Sequence, residues 1–334
     1  MTGLMFSTSA HAAPGWMQRQ ILAVVARWPE ISLPHRSRIL RSRLSMPSLS
    51  SCAHFDLDGA WPADALAAGK YVDCRAWGPR LRYCASAREM EIFHETVREK
   101  MAAFTLFGSG DFHHLSALWI RRVAEPFTLV SFDNHPDWDI RPPRWGCGTW
   151  INRALELPAV ERVAIWGCGN FEMNWPGNLF VNRGALREKW VAVWPWTERL
   201  KASGRRRWAG MTRADWRGQF GEFARGLSGK KVYVTVDLDC LEAGQAATNW
   251  EQGMFHAEDV RWAIGEIAAC GKIVGGDLCG AFSEQRYARW TQRLAARFDH
   301  PPAMRGPDAR ANLRALQIIW PALTDGHEQD SAGD

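Results

Sequence analysis

Long apolar runs are missing from this 334-residue chain. None approaches the ~20 residues that a membrane-spanning helix needs, so no membrane partner is expected. The eight cysteines (Cys52, Cys74, Cys84, Cys147, Cys168, Cys240, Cys270 and Cys279) include no C-x-x-C pair. In a chain of this size that argues against a disulfide framework and for a reduced, cytoplasmic compartment. A basic body is missing too. Residues 1–45 carry six arginines and one acid, Glu30, and so hold the whole formal net charge of +5. The remaining residues balance, whereas a nucleic-acid binder would show a basic stripe or face. No nucleic-acid partner is expected. Internal repeats of about 20–50 residues are also absent.

What is present reads as one globular domain with short flanks. Hydrophobic residues at 46% and charged residues at 23% suit a soluble α/β chain. Residues 1–45 are expected to be a disordered extension, or to precede a true start at Met46. Their single apolar run, ILAVVA at 21–26, is too short for a signal-peptide core. The domain is expected over 46–325, with a disordered tail at 326–334. From about residue 68, apolar strands alternate with helices. Strands are expected at 71–77, 103–110, 127–133, 162–167, 189–195, 231–237 and 272–277. Helices are expected at 86–101, 113–124, 256–270, 284–297 and 309–319. Near-continuous apolar strands imply a mainly parallel sheet covered on both faces, a three-layer αβα sandwich. Nineteen tryptophans, ten of them between Trp138 and Trp216, are read as packing residues in preference to an aromatic cage.

Ligands of open parallel sheets bind beyond the carboxyl ends of the strands, and three strands end in ligand-type residues. GSGDFHHLS carries Asp111, His113 and His114. DNHPDWD carries Asp133, His135, Asp137 and Asp139, and DLDCLE carries Asp237, Asp239 and Glu242. Fully extended, Asp133 to Asp137 would span ~13 Å, so the chain must turn after His135, with Pro136 well placed to turn it. Asp133, Asp137, Asp237 and Asp239, gathered beside an apolar sheet, would repel one another. Buried charges of this kind are normally paired or bound to metal, and two divalent cations would cancel the formal charge. Oxygen-rich ligation with one or two imidazoles suits Mn²⁺ better than a structural zinc site.

These three segments, in this order, resemble the arginase/agmatinase (ureohydrolase) superfamily. Its members carry G-G-D-H-S, D-A-H-x-D and S-x-D-x-D-x-x-D-P; the likeness runs from about residue 103 to 285. The resemblance implies an αβα fold and two Mn²⁺ per chain, activating a bridging hydroxide to hydrolyse a C–N bond. The implied ligands are Asp133, His135, Asp137, Asp237, Asp239 and either His113 or His114, the nearer His113 being preferred. His114 would then be free to face the substrate. Several positions depart from the pattern. Cys147, in GCGTWINRAL, stands where the family has a proton-shuttling histidine. Its place before an expected helix suggests a lowered thiol pKa. Gly280 stands where the family has a glutamate that grips a guanidinium. Asp139 replaces an asparagine that meets a carboxylate, and Glu242 replaces an aspartate. The expected function is therefore hydrolysis of a small amidine, guanidine or amide-like molecule other than arginine, with His114, Asp139 and Cys147 as proton-handling candidates. The alternatives are a metal-binding regulatory protein, or a single-metal Zn²⁺ deacetylase, whose histidine pair HHL at 113–115 matches poorly in position. A homo-oligomer is compatible with the sequence.

Overall fold

The computed structural model describes residues 51–300 and 306–328. The expectations for 1–45 and for 329–334 lie outside the described residues. Eight strands form one parallel sheet: β1 (Cys52–Asp56), β2 (Lys70–Asp73), β4 (Phe104–Phe107), β5 (Phe127–Phe132), β7 (Val160–Trp166), β8 (Val191–Trp194), β9 (Lys231–Asp237) and β10 (Lys272–Cys279). A separate two-residue antiparallel ladder pairs β3 (Cys84–Ala85) with β6 (Trp145–Gly146). In the main sheet the order is β2-β1-β4-β10-β9-β5-β7-β8, all neighbours parallel.

Both faces of the sheet are covered, which is why its strands are apolar throughout. Successive side chains point to opposite faces. On β7, Val163 and Ile165 join one core while Ala164 and Trp166 join the other; on β9, Tyr233 faces the first core and Val232, Val234 and Val236 the second. The first core is closed by the helix Ala87–Val97, opened by a Ser86–Glu89 capping box and burying Met90, Phe93 and Val97. Helices Trp216–Arg225, Ala257–Cys270 and Ala309–Glu328 close the second with Phe220, Ile264 and Ile319. The architecture is the expected three-layer sandwich.

The local differences have physical causes. Strand β1 lies in CAHFD, whose His54 and Asp56 hide an otherwise apolar pattern; all five of its residues are buried. The stretch 113–124, expected as one helix, is a 3₁₀ turn Gly110–Leu115, a short helix Ser116–Trp119 and a second 3₁₀ turn. Its tight first turn follows Gly108 and Gly110; a Cβ on Gly110 would come within 2.8 Å of Asp237 Oδ2. The last helix runs on past 325 to Glu328. Most tryptophans pack as expected: Trp166 stacks on Trp194 at 4.2 Å, and Trp196 and Trp216 meet Phe255 edge-on.

Candidate metal centre

Strands β4, β10, β9 and β5 are neighbours at the middle of the sheet, and their carboxyl ends carry the site. Asp133 follows β5 directly, and its Oδ1 accepts the His135 backbone N–H at 2.7 Å. Asp137 sits at φ +48°, a conformation that aspartate adopts sparingly. The expected turn after His135 is thus made at Asp137 itself. Its carboxylate swings back toward Asp133 and is fixed by the Trp150 indole N–H at 2.6 Å. Asp237 ends β9, and its Oδ1 accepts the Asp239 N–H, while Asp239 Oδ1 accepts the Asn134 N–H.

Two overlapping groups result. Around His113 Nδ1 lie Asp133 Oδ2 at 3.1 Å, Asp137 Oδ2 at 3.3 Å and Asp237 Oδ2 at 3.6 Å. Around His135 Nδ1 lie Asp239 Oδ2 at 2.8 Å and Asp133 Oδ1 at 3.6 Å. Asp133 belongs to both, and the trio His113, Asp133 and Asp137 and the trio Asp133, His135 and Asp239 each have the spacing of a metal-ligand set. All six residues expected as ligands therefore converge, with His113 in place and not His114. The donor set fits divalent cations: His113 and His135 both turn Nδ1 toward the four buried carboxylates, and His113 Nδ1 is buried without a hydrogen-bond partner.

A second layer fixes the His113 tautomer. Its Nε2 lies 2.9 Å from Thr235 Oγ1, and Thr235 donates its own proton to Asp277 Oδ1 at 2.5 Å. Asp277 also accepts from Ser116 and Tyr233. With its hydroxyl proton committed, Thr235 can only accept, so His113 Nε2 donates and Nδ1 is the nitrogen left to face the carboxylates. Such outer partners orient metal-binding histidines.

Electrostatics point the same way. Burial, then neighbouring carboxylates, push Asp137 and Asp239 up to about 7 and Asp237 up to about 8. Burial raises Asp133 as well, but the flanking His113 and His135 imidazoles outweigh it and hold that carboxyl below its usual range. Without added positive charge this cluster retains protons, as crowded desolvated carboxylates do.

The three proton-handling candidates fare differently. His114 is fully buried beneath the site, away from the cavity, and desolvation pulls its pKa down to about 3. It does not face the open side as expected. Asp139 is not in the cavity wall either, and Arg141 clamps it through Nε at 2.8 Å. Its charge is therefore spoken for. Cys147 does line the cavity, but only a 3₁₀ turn and the short helix Trp150–Ala154 follow it. Burial, then the Asp111 and Asp137 carboxylates, push its thiol well up, opposite to the expected direction. Glu242 faces outward, with His256 at 2.9 Å. Gly280 has φ +103°, and a Cβ there would overlap Asp237 Oδ1 and the Leu238 nitrogen. This backbone has no room for a side chain at that position.

A small cleft opens above the carboxylates, walled by Cys147, Asn170, Phe171, Glu172, Trp250 and Asp299. Sequence reading missed most of these. Asn170 and Glu172 follow β7, a strand end that the rule on carboxyl ends marked for inspection but that lacks any repeated acid-histidine pattern. Both Asn170 side-chain polar atoms and Glu172 Oε2 are buried without partners. Burial, then the Asp139 carboxylate, push the Glu172 carboxyl well above its usual range. Asp299 and His300 arrive from a distant segment; His300 Nε2 meets Asp111 Oδ1 at 2.6 Å, and Arg82 meets Asp111 Oδ2 at 2.7 Å.

A parallel αβα sandwich with an aspartate-histidine cluster at its central strand ends defines a class of fold, and solved structures identify it. A hypothetical agmatinase from Burkholderia thailandensis superposes with TM-score 0.52 at 13% identity, covering 87% of this chain and 89% of its own. Proclavaminate amidino hydrolase from Streptomyces clavuligerus gives 0.53 at 12% identity, over 84% and 94%. An arginase from Medicago truncatula gives 0.50 at 16%, over 83% and 87%. The chain has the arginase/agmatinase fold. An uncharacterized protein of Thermotoga maritima is 28% identical over 187 residues, which are 56% of this chain and 61% of that relative. The match thus spans about three fifths of the relative's length. No family model matches. Among the described residues, no helix is long and apolar enough to cross a membrane.

Proposed function

We propose that this protein is a divergent ureohydrolase. It would use two divalent cations, Mn²⁺ suiting the oxygen-rich part of the donor set, to hydrolyse a non-peptide C–N bond in a small amidine, guanidine or amide-like molecule. The observation that carries this reading is the pair of overlapping ligand groups sharing Asp133 at the ends of adjacent strands. When bound, such ions supply an activated water and a Lewis-acid hold on the scissile group. His113, Asp137 and Asp237 would hold one ion, His135 and Asp239 the other, and Asp133 both.

The rest of the chemistry falls to the cavity wall. Asn170 and Glu172 offer unpaired polar atoms to an N–H-rich end of the substrate, and Trp250 closes one side. Cys147, uncharged where it lies, serves as a wall residue or hydrogen-bond donor and not as a thiolate nucleophile. Arginine is disfavoured twice over. Position 280 has no carboxylate for a guanidinium, and none of the described lining residues is Arg or Lys to receive a carboxylate. The location proposed is cytoplasmic and the substrate a small molecule.

The test is a chelator-stripped full chain reloaded with Mn²⁺, analysed for metal content, then screened against guanidino, amidino and amide compounds for released urea, ammonia or amine. Two ions per chain and turnover of a compound other than arginine are expected. A metal-replete chain inert toward the whole panel would make it a metal-binding regulatory protein; a single bound Zn²⁺ would favour a deacetylase.

A further inference from the structure

The two cation positions are not alike. Near His113 Nδ1 and Asp237 lies a third donor, the Cys279 thiol, fully buried, with Sγ 3.5 Å from Asp237 Oδ2. His113, Asp237 and Cys279 each offer one donor atom, and all three atoms lie within 4.8 Å of one another. No sulfur joins the corresponding set of Asp133, His135 and Asp239.

The backbone fixes this placement. Cys279 is the ladder partner of Asp237 across β10 and β9, so the two side chains stand abreast. Immediately after it, Gly280 turns at φ +103° and donates its N–H to Gly108 O at 3.0 Å. With no side chain at 280, nothing intervenes between the thiol and the carboxylate. His113 is itself buried, and its Nδ1 stands 3.6 Å from Asp237 Oδ2, the same oxygen that Cys279 Sγ approaches. Sulfur ligands select softer divalent ions, whereas carboxylate and imidazole alone leave the choice to harder ones.

Resting on the metal centre proposed above, we propose that Cys279 is a ligand of the ion at the His113 position. That position then takes a thiophilic ion such as Zn²⁺, Fe²⁺ or Co²⁺, while the His135 position keeps the harder preference. On binding, the thiol proton now given to Asp237 leaves to solvent, and the sulfur donates as thiolate.

Cobalt is the probe. The full chain is stripped with chelator, loaded with Co²⁺ and followed by absorption; wild type is expected to show a near-ultraviolet sulfur-to-cobalt charge-transfer band. Cys279→Ser and Cys279→Ala should lose that band while the visible cobalt bands remain, and Cys147→Ser should keep it. Competition between Zn²⁺ and Mn²⁺ should shift toward Mn²⁺ in Cys279→Ser by at least the ~10–100-fold that loss of an outer-shell partner costs. Bound cobalt without the sulfur band in wild type, or a band that survives Cys279→Ser, overturns the assignment but leaves the metal centre standing. Failure to bind cobalt at all overturns the centre, and Cys279 ligation with it.

Discussion

Replacing Thr235 by Val isolates the second layer of the site. The two side chains have nearly the same shape, so β9 and its neighbours should keep their packing; only the hydroxyl goes. Its loss leaves the His113 Nε2–H, now 2.9 Å from Thr235 Oγ1, without an acceptor inside a fully buried site. An unsatisfied buried donor costs ~1–3 kcal/mol. The imidazole can escape that cost by moving its proton to Nδ1, but this consumes the lone pair that an ion needs. Either way binding suffers, and an outer partner of this kind is worth ~10–100-fold in metal affinity, or about 1.4–2.7 kcal/mol. Calorimetric titration of the chelator-stripped chain with Mn²⁺ measures it directly, with thermal unfolding of the metal-free variant as the control for folding. Thr235→Ser, which keeps the hydroxyl, should recover most of the affinity. If Thr235→Val binds Mn²⁺ as tightly as wild type, the tautomer argument is wrong.

Arg82 is 1% exposed and joins Asp58 to Asp111. Arg82→Met should therefore cost ~3–5 kcal/mol by stranding buried carboxylates, read as a fall in the urea midpoint. Gly280→Ala should lose ~1–3 kcal/mol to backbone strain and weaken metal binding by displacing Asp237. Gly280→Glu should not bring arginine hydrolysis, and urea release from arginine by that variant would refute the steric argument. Burial lowers the His300 pKa, but the Asp111 carboxylate outweighs it and the net shift is upward. A raised folded value means that this pairing stabilises fully below about pH 6.5 and is lost as pH rises through the folded value. His300→Gln should accordingly be most destabilising relative to wild type in mild acid, with the gap narrowing in alkali; a gap that widens instead would show that His300 is bound as a neutral ring.

The fold was legible because parallel strands buried on both faces cannot conceal their composition. FTLVSF and KVYVTVD announce β5 and β9 directly, and the acids behind them mark the end at which ligands collect. Strand β1 escaped notice because His54 and Asp56 break the apolar run. Asp56 is made acceptable there by the Gly59 N–H and by partners farther along the chain, Tyr71 and Arg75. The helix expected at 113–124 failed for a related reason. Its periodicity is real, but Gly110 must pass so close to Asp237 that the chain enters through a 3₁₀ turn.

Within the site, legibility followed sequence distance. Residues two apart at a strand end can be read from one segment, as Asp133, His135 and Asp137 and then Asp237 and Asp239 were, whereas the choice between His113 and His114 was left open. What surrounds them is assembled from afar: Thr235 reaches His113 across 122 positions, and His300 reaches Asp111 across 189. No spacing rule connects such pairs. Cys147 shows the complementary error, since a cysteine ahead of a helix suggests an acidic thiol only while its surroundings are unknown. Enclosed by Asp111, Asp137 and Asp299, it meets negative charge on several sides, and a one-turn helix cannot offset that. Cys279 inverts the case. In sequence it is one more cysteine in an apolar strand; only its register against Asp237 turns a small hydrophobe into a donor. The residue types of this site were thus written locally, while their chemistry was decided by which strands became neighbours.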